Sequence, residues 1–223
     1  MRYKTLCVAL ALIASVMSGK VRAETDKPDT SSEILYFEDY IEAIEEEPES
    51  RFHRAREFFF KNDMQAAAKE IRKGAVFLRL ESGWATKEGK GPLIASSQEL
   101  EKLADDLESD SVTSVKALDD TFARAHYALA RHYHLKAAES HGKQAYKKLA
   151  RELKAAAKHL KHALLWSRNK IESVFNDLMR DIHSMAERLT KDEKQAHDEV
   201  GNVIDSIGNE IEKSRERIEP GKK

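Results

Sequence analysis

Residues 143–189 read KQAYKKLARELKAAAKHLKHALLWSRNKIESVFNDLMRDIHSMAERL, with no proline and no glycine in the stretch. Ala, Leu, Lys and Glu fill it, all strong helix formers. Its apolar residues recur at steps of three and four rather than alternating, which is helical spacing. Unbroken, such a helix would be about 70 Å long at 1.5 Å per residue. The apolar spacing slips from Ser167 to Asn169, so a bend is expected there. Beyond it, Ile171, Phe175, Leu178, Ile182, Met185 and Leu189 form the seam of a coiled coil. Thr190 with Glu193 then fits a capping box opening a last helix, whose stripe is Ala196, Val200, Val203, Ile207, Ile211 and Ile218. So short a connection predicts an antiparallel helical hairpin, roughly 30 Å long for twenty residues per arm.

Working outward, the same chemistry holds upstream. The four prolines are Pro28, Pro48, Pro92 and Pro220, and no β-branched alternation marks a strand. The predicted class is all-α: an antiparallel helical bundle with an internally duplicated helix-turn-helix pair and a long C-terminal hairpin. Residues 24–31 are expected to be a disordered lead. A first helix is expected from Ser32, with Ile34, Phe37, Ile41 and Ile44 on one face, ending at Pro48. Ser50 is expected to cap a second helix through Lys61. Asn62-Asp63 breaks it, and a third helix runs to Gly83. Residues 84–91, with two glycines, are expected to be a loop. Further helices follow over 92–108 and from Val112 to His141, the latter with Gly142 just past its end. The domain plan is then a bundle over 32–168, a hairpin over 169–219 and a tail at 220–223.

Residues 53–82 align without gaps on 135–164. Ala68-Lys-Glu-Ile-Arg72 matches Ala150-Arg-Glu-Leu-Lys154, while Ala75 and Leu78 fall on Ala157 and Leu160. The pattern loosely resembles tetratricopeptide helix pairs in its small residues at the crossing. It has two copies and lacks the full 34-residue signature. Leu189-Thr190 followed by Gln195 resembles the Leu-Thr-x-x-Gln motif of small periplasmic helical-hairpin chaperones. Here Glu193 takes the glutamine position and the motif occurs once, and helix capping explains both residues.

The amino end carries its own message. Arg2 and Lys4 precede a mostly apolar run from Thr5 to Gly19, and Val21-Arg22-Ala23 places small residues at the −3 and −1 positions of a cleavage site. Residues 1–23 are predicted to be a signal peptide, cut after Ala23, too short for a comfortable membrane span. The only cysteine, Cys7, leaves with it, which excludes disulfides and thiolate chemistry from the mature chain. Four basic residues leave too, so 34 basic face 39 acidic residues, a net charge of −5. An acidic surface of mixed sign argues against nucleic acid as a partner. No second apolar stretch is long enough to span a membrane. The expected location is the periplasm, with secretion from the cell as the alternative.

Histidine is the residue type that suggests chemistry. His126, His134 and His141 share one side of a helix, but at roughly 10–12 Å spacing they cannot serve one metal. His159 and His162, three apart, share a face without a carboxylate one turn away. No Glu-x-x-His or His-x-x-x-His occurs, which disfavours di-iron and zincin sites. The histidines therefore read as solvated or flanking, leaving only a site assembled across helices. Gly83 to Gly91 fails as a phosphate loop in spacing and in context. The scattered carboxylates read as a solvated face. No catalytic, cofactor-binding or metal residue is nominated. The sequence predicts a non-catalytic protein-interaction, chaperone-like or scaffold module whose partner is another protein, a second copy of the chain included. The alternative is a histidine-based metal-sequestering bundle. Gly201 and Gly208, seven apart, are expected to permit close approach of a second backbone.

Overall fold

The computed structural model describes residues 47–112, 114–168 and 173–218. The signal segment, the lead, Ile171 and the tail lie outside them, as does the helix expected from Ser32 except its end at Pro48. The described residues form seven helices and no strand: α1 (Glu47–Phe60), α2 (Met64–Gly83), α3 (Lys87–Glu108), α4 (Val115–Gly142), α5 (Tyr146–Trp166), α6 (Ser173–Thr190) and α7 (Lys194–Ile218). The class is all-α, as the helix formers and the missing alternation dictate. Each helix packs on the next in the chain, and α7 also folds back onto α4 and α5. One continuous core results, from Phe52 and Ile71 through Phe122, Leu129 and Leu160 to Ile182 and Ile207.

The chain turns by one recurring device. Asn62, Asp110, Gln144, Arg168 and Asp192 all take positive φ, between 53 and 59°. At Asn62 the following amide, Asp63, donates to Phe58 O while Asn62 itself donates to Phe59 O. This is a Schellman ending, built here without glycine. The same pair of bonds closes α3 at Asp110, α4 at Gln144 and α6 at Asp192. Asp63 then caps α2, its side chain accepting from the Ala66 amide.

Several boundaries differ from expectation, each for a local reason. Pro48 and Ser50 lie inside α1, which begins at Glu47; proline suits a first turn because its missing N–H has no intrahelical partner there. Residues 87–91 are helical, because Thr86 caps α3 by accepting from the Gly89 amide. Gly89 is also packed, with Leu135 and His132 within 3.6 Å of where its Cβ would sit. Gly142 is the last residue of α4, and the position past its end falls to Gln144. The long helix is two helices, α5 stopping at Trp166, just before the expected bend. Thr190 is the last residue of α6, its hydroxyl donating to Ala186 O. No capping box opens α7 there.

The aligned segments share burial as well as letters. Ala68, Glu70, Ile71, Ala75 and Leu78 are buried, as are Ala150, Glu152, Leu153, Ala157 and Leu160. Asn62 and Gln144, matched by the alignment, both turn through positive φ. Asp110 and Asp192 make the same turn outside the alignment, so the turn by itself is no mark of duplication.

The hairpin's seam is spent within the chain. Phe175, Ile182, Met185 and Leu189 are buried, as are Ala196, Val200, Ile207, Ile211 and Ile218, with Leu178 and Val203 partly so. Gly208 is closely approached by a side chain rather than by the second backbone expected: a Cβ there would lie 2.8 Å from His134 Nε2. That nitrogen lies 3.1 Å from the Ile204 carbonyl and ties α4 to α7. Gly201 has a looser neighbour, His141 at 3.9 Å.

Candidate functional site

Periodicity places His126 on the core side of α4 and His159 on that of α5, because Phe122, Leu129, Leu160 and Ala163 share those faces. Both histidines are buried, as is His132. This corrects the expectation of solvated histidines: once α4 packs against α5, their inward stripes have nowhere else to go. His126 Nδ1 and His159 Nδ1 lie 3.1 Å apart. The missing carboxylate comes from α1. Glu49 Oε2 accepts from the Trp166 indole N–H at 2.8 Å and is 2.8 Å from His126 Nε2. Its Oε1 is 3.0 Å from His162 Nδ1 and 2.8 Å from His53 Nε2. The His126 and His162 contacts are close but not well aligned as hydrogen bonds.

This arrangement sets the charges. Burial alone would raise the Glu49 carboxyl, but His126 and His162 outweigh it and hold the group well below the usual carboxylate range. Burial pushes His126 down, against the pull of Glu49. His159 is pushed down further, by burial first and then by His126 and His162. An anionic Glu49 asks His126 for its Nε2 proton. Neutral His126 then offers a bare Nδ1, to which His159 donates from Nδ1. His159 Nε2 is left buried without a partner.

A second polar path runs beside it. His132 Nε2 is 3.1 Å from Glu81 of α2, whose carboxyl also accepts from the Tyr133 hydroxyl. Burial raises the Glu81 carboxyl, and His132 with Lys136 and Tyr133 more than reverses this. The Tyr133 ring stacks on His159 at 5.5 Å. Asp119 is likewise buried, clasped by Arg56 at 3.1 Å and Arg168 at 2.7 Å. The expectation of wholly solvated carboxylates is thus corrected at Glu49, Glu81 and Asp119.

Three of the singled-out histidines do stand apart, as their axial spacing requires. His126 joins the cluster, His134 meets Ile204 and His141 faces Gly201. His159 and His162 share the cluster through different partners. Among the described residues no group of three His, Cys, Asp or Glu side chains is disposed to hold a metal. The surface hollows of about 570 and 450 Å³ are open and lined largely by paired charges, such as Arg72 with Glu108 and Arg124 with Glu99.

The second feature lies outside. Lys69, Lys73, Val76, Leu80 and Gly83 fall on one face of α2, and Trp84 follows at its end, opposite the buried Ile71 and Leu78. Val76 is 49% exposed, Leu80 65% and Trp84 77%. No described helix of the chain is long and apolar enough to cross a membrane. What the fold defines is an all-α bundle with a buried histidine–carboxylate cluster and an apolar stripe on the outer face of α2. No protein-family model matches the chain, and no curated protein or solved structure matches it.

Proposed function

We propose that the chain is a non-catalytic protein-interaction module, exported by a cleavable signal peptide, that docks another protein on the outer face of α2. The stripe Val76–Leu80–Trp84 carries this reading. Three large apolar side chains one turn apart, each about half or more in water, are a cost a free-standing helix face has no reason to bear. Lys69, on the same face, favours an amphipathic partner segment with acidic flanks. The C-terminal hairpin lends no support, because its apolar seam packs on the chain's own α4 and α5. The matched burial of the two helix pairs supports reading them as a duplication of a scaffold unit.

Site-specific photo-cross-linking in the native compartment tests it. A photoreactive residue at Val76 or Leu80 should trap a partner, one at Ser184 on α6 should not, and V76E/L80E should abolish capture through Trp84. Equal adducts at all positions would refute the docking face. Cell fractionation with amino-terminal sequencing tests export, and Glu24 is the expected first residue.

The metal-sequestering alternative draws on one observation. Glu49 orients His126 by its Nε2, as an outer carboxylate orients a ligating histidine, leaving the two Nδ1 atoms to converge. Two nitrogens fall short of the three or four protein ligands zinc takes. Elemental analysis of the purified protein, with added Zn, Cu and Ni, decides it.

A further inference from the structure

The Glu49 cluster joins three helices at one point. Glu49 comes from α1, His126 from α4, and His162 and Trp166 from α5. Phe52, one turn beyond Glu49, stacks on Phe122 at 4.4 Å and meets His126 edge-on. Farther along α1, Arg56 pairs with Asp119 of α4, and the helix otherwise rests mainly on α2, so its amino-terminal end is held to α4 and α5 largely through this cluster. The charged and titratable groups facing the His126–His159 pair are Glu49 and His53 from α1, Tyr133 from α4, and His162 and Lys158 from α5. Glu81 of α2 stands behind Tyr133.

The pair holds one proton between two facing nitrogens, and there is no good place for another. A proton added to His126 Nδ1 would set two N–H groups against each other at 3.1 Å. One added to His159 Nε2 would create a buried donor with no acceptor. In either case a positive charge arises beside a second histidine, with a single carboxylate to answer it. We propose that Glu49, His126 and His159 form an acid-operated latch: proton uptake by the buried pair parts the start of α1 from α4 and α5. Parting exposes Phe52 and Phe122, buried apolar surface distinct from the α2 stripe.

The test uses the full chain. Of its two tryptophans, Trp166 donates to Glu49 and Trp84 is exposed, so a W84F background leaves Trp166 as the only indole reporter. Its emission, followed from neutral pH down to about pH 4, should shift red cooperatively below the ordinary histidine value of about 6.5, with proton uptake of about two. Far-UV circular dichroism should keep most of its helix through that change. H159F should move the midpoint to lower pH and reduce uptake to about one proton, and H126Q should do the same. An unchanged pH profile in both variants, or a wild-type signal flat to pH 4.5, overturns the latch. Should the variants not fold, nitrogen NMR of the wild-type imidazoles decides. Neutral His126 with its proton on Nε2 and neutral His159 with its proton on Nδ1 at pH 7.5 support the latch, and a doubly protonated His159 refutes it.

Discussion

Gly74 on α2 sits where the packing of α1 against the core is tightest. A Cβ at that position would lie 2.5 Å from Phe52 Cε1 and 3.2 Å from Cζ. Ordinary contact begins near 3.4 Å, so the ring would have to retreat by most of an ångström. It has little room, for Phe52 is fully buried, stacked on Phe122 and edge-on to His126. Overpacking of a closed site costs about 1–3 kcal/mol. Alanine in a helix interior gains about 0.8–1.0 kcal/mol over glycine, so Gly74→Ala should range from neutral to destabilising by about 2 kcal/mol net. Gly91→Ala on α3 is the control, since nothing lies within 4 Å of its Cβ; it should stabilise by up to about 1 kcal/mol. Urea unfolding followed by circular dichroism measures both. In a Phe52→Leu background, which removes the clashing ring, Gly74→Ala should turn neutral or stabilising. If Gly74→Ala stabilises the wild type as much as Gly91→Ala does, the close contact at Phe52 is not real.

Glu49→Gln places an amide among side chains that approach a carboxylate. Losing the charged acceptor for Trp166 and His126 should cost about 2–4 kcal/mol, read from the urea midpoint at neutral pH, and should red-shift Trp166. Acid should weaken the fold from the histidine side first. Burial lowers His126 and His159, and it lowers His134 despite the Ile204 carbonyl. Their unfolded forms therefore take up protons from about pH 6.5 downward, before the folded forms do, so stability falls as the pH falls, by at most about 1.4 kcal/mol per pH unit for each such group. Glu49, lowered in the fold, contributes stability that is present above its ordinary value of 4.5 and is lost below it. A urea midpoint that does not move between pH 7 and 5 would contradict the buried, neutral assignment. Gln144→Gly should stabilise by about 0.5–1 kcal/mol in the same assay, because Gln144 is exposed and turns at φ 56°, where any Cβ is strained.

Much of the fold lay open in the letters. Asn62-Asp63 ends one helix and caps the next because both side chains favour turns, and residue type alone announces that. The slip in apolar spacing before α6 likewise foretold where α5 must stop. Thr86 was harder, since two glycines at 89 and 91 suggest a loop. One cap and the packing of Gly89 against His132 and Leu135 outweigh their low helix propensity. The cluster was out of reach for a different reason. Glu49 and Trp166 are 117 positions apart, and nothing in the residues around either one names the other.

By itself the sequence determined what is local: helix formers without strand spacing, hence an all-α chain, the breaks between its helices, and which stripe of each helix turns inward. Those follow from backbone propensity and a 3.6-residue period, which need only near neighbours. The tertiary structure alone decided which stripes meet. The crossing of α1, α4 and α5 brings Glu49 to His126, His159 and His162, turning histidines that read as solvated into a buried cluster. The folding of α7 onto α4 and α5 hides the hairpin seam, while the outer face of α2 keeps an apolar stripe exposed. Side-chain contacts between helices depend on how whole cylinders pack, and no short window of the chain encodes that.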